Sequence, residues 1–316
     1  MIDRVASNSQ TQVQLQQIMQ AESALNTTQN QVSSGKVATD YTGMGDKTAV
    51  LEAARSAANK SSALQSTLQL AVNQADLQDT QLSSLSDLAG QLRQDVTTAL
   101  ANNDGSTLMT QAQSIFDQAS QILNSKDANG NYLYAGNNDG SPPVTVSSLS
   151  DLAALPSVSA AFANGSVGKS VSTGDGSNVQ LGLLASDLGT QLFSSLQQIA
   201  QFNAGPSGNL GTGLSQTQSD FLSTQVTNAT TAATGINNVM AQNGDVYNQL
   251  TDAVTHQQSL NTLYTGFVSN LEDVDMPTAL SQLSQNQTAL QAALQVTAQL
   301  HQISLLNYLG APTANG

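Results

Sequence analysis

Residues 50–99 read VLEAARSAANKSSALQSTLQLAVNQADLQDTQLSSLSDLAGQLRQDVTTA. Alternating steps of four and three give Val50, Ala54, Ala57, Ser61, Leu64, Leu68, Ala71, Ala75, Gln78, Leu82, Leu85, Ala89, Leu92, Val96 and Ala99. Only Ser61 and Gln78 are not apolar, and no proline interrupts the run. A seven-residue repeat sustained this long is the pattern of a helix burying one narrow seam against other helices. At 1.5 Å per residue that helix is about 75 Å long, and it needs a partner of matching length.

The partner is a second seam: Leu222, Val226, Ala229, Ala233, Ile236, Met240, Asn243, Tyr247, Leu250, Val254, Gln257, Asn261, Tyr264, Val268 and Leu271. Its span equals the first, and its polar breaks are Asn243, Gln257 and Asn261. Gly235 and Gly244 weaken this helix by about 1 kcal/mol each. Two equal seams separated by an intervening segment pair as an antiparallel rod, with Val50 beside Leu271 and Ala99 beside Leu222.

Between them, Asn102, Asn103, Asp104 and Gly105 stop the first long helix. A shorter helix on Leu108, Ala112, Ile115, Ala119 and Ile122 folds back on it. After a turn at 126–130, residues 131–135 read as a strand. Residues 136–185 are richer in Gly, Ser and Val, with strands expected at 144–146, 167–171 and 179–184. A helix over 149–162 is broken at Pro156. Leu188, Leu192, Leu196 and Ile199 mark a further helix that closes at 203–206. The expected fold is mainly α: a long antiparallel helical rod with paired terminal helices and a small β-rich insert at the far end. Its parts are a terminal-helix core domain (1–40 and 275–316), a helical rod domain (41–135 and 186–274) and an outer insert (136–185).

The terminal helices are weaker. Over 5–32 the four-three steps fall on Thr11, Leu15, Ile18, Glu22, Leu25, Gln29 and Val32, of which only four are apolar. At the other end the register breaks over 272–275, and Pro277 suits the first turn of a new helix, with Asp275 a candidate cap. Segments that are marginal alone but amphipathic order on assembly by burying their seam between subunits. The expected assembly residues are Leu15, Ile18, Leu25, Leu280, Leu283, Leu290, Leu294, Leu300, Ile303, Leu306 and Leu309. These patterns alone imply a rod-shaped subunit of a linear assembly.

Composition removes other classes. Charged residues are only 9% of the chain, the formal net charge is −14, and no Lys or Arg follows Lys169. Nucleic acid and anionic membranes therefore meet no basic patch. No apolar run approaches the roughly 20 residues of a membrane span. There is no cysteine, and His256 and His301 stand alone on helical stretches. Gly35-Lys36 fails the phosphate-loop pattern at Asn30 and Val37. Asp127, Asn129 and Asn131 open like a calcium loop, but Tyr132 and Asn138 stand where Gly and Glu are required. From 136 to 213 the ionisable groups are Asp139, Asp151, Asp175, Asp187 and Lys169, too few for an acid–base or metal centre. Neither enzymatic activity nor a cofactor is expected. A chemotaxis-type signalling coiled coil lacks its membrane span and its charged flanking positions. The start of the chain lacks the apolar core and cleavage site of a secretory signal.

Three motifs carry a resemblance. Gln31-Val32-Ser33-Ser34-Gly35-Lys36 follows the first helix. Asp273-Val274-Asp275-Met276, Ala279-Leu280, Gln287-Thr288-Ala289-Leu290-Gln291-Ala292 and Ser304-Leu305-Leu306-Asn307-Tyr308-Leu309 mark the end. Asn129-Gly130-Asn131-Tyr132-Leu133-Tyr134-Ala135-Gly136 follows the third helix. Together they resemble the flagellin superfamily, and within it the hook-associated protein 3 branch that forms the hook–filament junction. The octapeptide 129–136 favours that branch over flagellin itself, the filament subunit, which is the alternative. Residues 40–46 depart from the family's Asp-Asp-Pro-Ala-Gly loop. The resemblance implies a non-enzymatic structural protein of the bacterial flagellum. Its implied partners are a neighbouring hook-associated protein, flagellin, further copies of itself and an export chaperone. It also implies type III export without a cleaved signal peptide and an extracellular location.

Overall fold

The computed structural model describes residues 2–127 and 129–309. Seven α-helices run in order: α1 (Ile2–Ser34), α2 (Thr48–Asn102), α3 (Leu108–Leu123), α4 (Leu149–Ala154), α5 (Ala185–Ala204), α6 (Gln216–Glu272) and α7 (Met276–Leu309). A single antiparallel hairpin, β1 (Ser170–Ser172) and β2 (Asn178–Gln180), supplies the sheet among the described residues. The chain divides into two compact units: 1–60 with 260–316, and 61–259. Helices α2 and α6 contribute to both.

The larger unit holds the core. Leu82, Leu85, Ala89, Leu92 and Val96 of α2 are fully buried, with Leu222, Ala229, Ala232 and Ile236 of α6 in the same cluster. The seam's polar breaks account for much of how the two helices are joined. Ser61 Oγ lies 2.7 Å from the Gln257 carbonyl oxygen and 3.0 Å from its Oε1. Asn243 Nδ2 donates to the Ala75 carbonyl at 2.8 Å. In the smaller unit Asn261 Nδ2 donates to the Ala58 carbonyl at 2.8 Å. These bonds set an antiparallel register within one helical turn of the one the seams imply. A buried amide that pairs in only one register specifies it, as a single polar core residue does in a coiled coil.

Helices α3, α4 and α5 close the distal core. Phe193 of α5 meets Phe116 of α3 at 5.2 Å and Phe162 at 5.4 Å between ring centroids. Ser148 caps α4 by accepting from the Asp151 amide. The helix ends before Pro156, and a 3-10 turn resumes at Val158–Ala161, as the proline dictates.

The segment 131–135 is not a strand. Tyr132 makes one isolated bridge to Lys126, and the chain then turns inward. Tyr134 is fully buried and its hydroxyl donates to Gln81 Oε1 of α2 at 2.5 Å. Burial pushes its phenol pKa well above the ordinary range. Gly136 follows at φ +59°, where a Cβ would stand 2.7 Å from the Val167 carbonyl, so only glycine fits. The aromatic run Tyr132–Tyr134 reads as a strand by composition, whereas the segment is a plug. The insert is likewise poorer in sheet than expected: 144–146 contributes only a bridge from Val144 to Phe162. Its hairpin lies along the helices, with Val179 and Leu181 packed among Leu68, Ala71, Val72 and Leu250. The tip is fastened where Gln257 Nε2 donates to the Thr173 carbonyl at 2.9 Å.

Candidate assembly surface

The smaller unit is built differently. Helices α1 and α7 pack together antiparallel, with Asn286 Nδ2 donating to Thr28 Oγ1 at 2.9 Å. Thr28 is buried because its hydroxyl is doubly used, donating also to the Ala24 carbonyl at 2.8 Å. The inward positions of α1 are Gln14, Ile18, Ala21, Leu25, Thr28 and Val32, all at least half-buried. Across from them on α7 stand Ala279, Leu283, Asn286, Leu290, Ala293, Thr297 and Leu300.

This divides the residues expected to drive assembly. Ile18, Leu25, Leu283, Leu290 and Leu300 are half-buried within the α1–α7 pair. Leu15, Leu280 and Leu294 face outward and are 57%, 51% and 48% exposed. The four-three steps begun at Thr11 place Leu15 in the seam, whereas the inward positions 14, 18, 21, 25, 28 and 32 put Gln14 there instead. The side chains of Ile303, Leu306, Leu309 and His301 lie outside the described residues. Val13, Met19 and Val296 are also exposed and join the outward apolar set. Val13 and Met19 fall off the four-three steps of the first helix, and Val296 falls outside the leucines and isoleucine read on the last one.

Among the described residues, twelve of the sixteen exposed large hydrophobic side chains belong to this smaller unit, whereas its buried hydrophobic residues are only Met44, Leu51, Ala54 and Ala279. A unit that exposes apolar side chains and buries so few has a surface made to be covered.

At the base of the terminal pair a charged clamp holds the chain crossings. The Val37 amide donates to the Glu272 carbonyl at 2.7 Å, and the Val274 amide to the Gly35 carbonyl at 3.0 Å. Lys36 Nζ contacts Asp273 at 2.7 Å and Glu272 at 3.5 Å, while Arg55 Nη2 contacts Glu272 at 2.7 Å. Arg55 also meets Glu52, whose Oε1 accepts from the Tyr41 hydroxyl at 2.6 Å. The Arg55 hydrogen bond holds the Glu272 carboxyl below its ordinary value, and the Lys36 hydrogen bond does the same for Asp273. The pairing of Lys36 with residues 272–273 has no local signature in the sequence.

His256 borders a hollow of about 340 Å³ with Asp252 and Asp175, but the Asp175 carboxylate already accepts from Thr173, Ser177 and the Ser177 amide. Among the described residues no group of three His, Asp or Glu is placed to hold a metal ion. No described helix is long and apolar enough to cross a membrane. Asp275 sits ahead of α7 and accepts from the Thr278 hydroxyl, with Pro277 in the first turn.

Residues 226–309 match the family model of the bacterial flagellin C-terminal helical region, which belongs to structural, non-enzymatic proteins. No curated protein is significantly similar to the chain. Among solved structures, one described as a flagellar hook-associated protein from Vibrio parahaemolyticus is similar, with a TM-score of 0.56 and 15% identity. The match covers 74% of this chain and 99% of that one. Bacillus cereus FlgL is also similar, with a TM-score of 0.48, 15% identity, and coverage of 63% and 96% respectively.

Proposed function

We propose that this chain, which over residues 226–309 matches the bacterial flagellin C-terminal helical region, is a structural subunit of the flagellar hook–filament junction. The observation that carries the reading is the smaller unit, whose described residues expose twelve large hydrophobic side chains and bury only Met44, Leu51, Ala54 and Ala279 among the hydrophobic ones. Such a unit is completed by neighbours presenting equivalent helices. The outward residues Leu15, Leu280 and Leu294 do the joining, and the inward set Ile18, Leu25, Leu283, Leu290 and Leu300 keeps α1 and α7 paired. The fold shared with the Vibrio structure supports a hook-associated protein. So does the octapeptide 129–136, now seen as a core plug built on Tyr134.

In this role the subunit contacts a hook-associated protein on one side and flagellin on the other, alongside copies of itself. It is exported through the flagellar type III apparatus with a dedicated chaperone and acts outside the cell. Deleting its gene leaves capped hooks and sheds flagellin into the medium; normal filaments in the deletion strain overturn the role. The second reading is flagellin itself, which the C-terminal match also suits. Mass spectrometry of sheared filaments separates the two, finding trace amounts for a junction piece and a dominant species for flagellin.

A further inference from the structure

The α2–α6 pair carries two apolar clusters rather than one. The first takes Leu82 and later residues of α2 with α6 residues up to Met240. The second takes Leu64 to Ala75 of α2 with α6 residues from Val246 to Val254. Gln78 lies in the gap between them. Its side chain is fully buried, and neither Oε1 nor Nε2 has a hydrogen-bond partner. Buried amides are nearly always paired, so this one is a local cost that the fold keeps. The surroundings are otherwise well satisfied: Gln81 accepts from Tyr134 and Ser125, and Asn243 donates to Ala75. On α6 the gap between the clusters runs from Met240 to Val246 and reads Asn243-Gly244-Asp245 before Val246, three weak helix formers in succession. Space around Gly244 is open, with no atom within 4 Å of where a Cβ would stand.

We propose that this layer is a joint, at which the helix pair opens locally while both apolar clusters stay packed. Opening between Ala75 and Leu82 hydrates the unpartnered Gln78 amide and gives up the Asn243–Ala75 hydrogen bond, whose two groups are then hydrated, while neither apolar cluster is broken. The same opening inside a cluster exposes leucines and gains nothing. The free energy of local opening is therefore lowest at this layer. The joint gives a long two-helix element a defined place to flex, and it is a property of the single chain, independent of the assembly role.

Hydrogen exchange on the full-length protein tests it. Amides at 241–247 are expected to exchange faster than those at 229–236 and 250–257. Gln78→Met keeps the side-chain length and removes the orphan amide, and should slow exchange at 241–247 by about tenfold. Gly244→Ala acts in open space, where folding is not at risk, and should slow the same window by about fivefold. Gly244→Ala reads helix propensity alone and serves as the reference; slowing in Gln78→Met, confined to this window, supports the joint. Uniform protection in the unmodified protein, or unchanged or faster exchange at 241–247 in Gln78→Met, overturns it.

Discussion

Leu290 and Leu294 are one turn apart on α7 and meet different surroundings. Leu290 is half-buried within the α1–α7 pair, whereas Leu294 is 48% exposed. Leu290→Asp puts a charge against α1 and should destabilise the terminal pair in the monomer by about 2 kcal/mol. Leu294→Asp should leave monomer stability within about 0.5 kcal/mol of the parent and still abolish assembly. Thermal melting and sedimentation of both variants separate the two effects; equal losses of monomer stability would contradict the division of the faces. The clamp predicts an acid dependence. Glu272 titrates below its ordinary 4.5 because Arg55 hydrogen-bonds it, and Asp273 below 3.8 because Lys36 does. A depressed folded pKa means the stabilisation is complete above those ordinary values and disappears as pH falls through the folded ones. Lys36 and Arg55 are shifted upward by the same pairs, so their share is lost only in strong alkali. Melting of the smaller unit should therefore weaken as pH drops from about 5 to about 3. The Glu272→Gln, Asp273→Asn double variant should show a shallower slope; an unchanged slope would remove the clamp from the account.

At the scale of elements, the hairpin depends on one side chain. Gln257 accepts from Ser61 and donates to Thr173, so it joins α2, α6 and the β1–β2 tip at a nearly fully buried point. Gln257→Ala leaves the Thr173 carbonyl unpaired and should cost about 1–3 kcal/mol. Because Lys169 precedes β1 and is the last cation in the chain, trypsin should cut there faster in the variant. Unchanged cleavage would mean the hairpin is held by Val179 and Leu181 alone. How far these elements could be read in advance follows from what sets them. The seven-residue repeats announce α2 and α6 because burial on one face is a local pattern. Ser61, Asn243, Gln257 and Asn261 interrupt the repeats, and only the structure shows that they are the hydrogen-bonded pins. Residues 131–135 have the aromatic composition of a strand, yet Tyr134 is drawn inward by Gln81, fifty-three positions earlier. On α1 the inward face was misplaced by one residue at Leu15, because Thr28 and Gln14 are polar and their burial rests on packing and on partners from α7. Both faces of α1 carry apolar side chains, so apolar content does not choose between two four-three series one residue apart, and only burial against α7 shows which is inward.

Across the whole molecule, burial and exposure are unequally shared between the two units. Among the described residues, 61–259 contain nearly all the buried hydrophobic side chains, and 1–60 with 260–316 carry most of the exposed large ones. The larger unit should therefore fold as a cooperative body in the monomer, while α1 and α7 open readily. Hydrogen exchange should find α1 and α7 amides weakly protected in the monomer and strongly protected in the assembly, with the 82–100 amides protected in both. Equal protection of the terminal helices in the two states would sink the idea that assembly completes them. Trypsin cannot report on the returning half, which has no Lys or Arg after Lys169. The central claim is one of position, and the most direct test is to locate a labelled copy along isolated hook–filament complexes by electron microscopy. A junction subunit gives a single band where hook meets filament; label spread along the filament, or absent from the junction, contradicts the account.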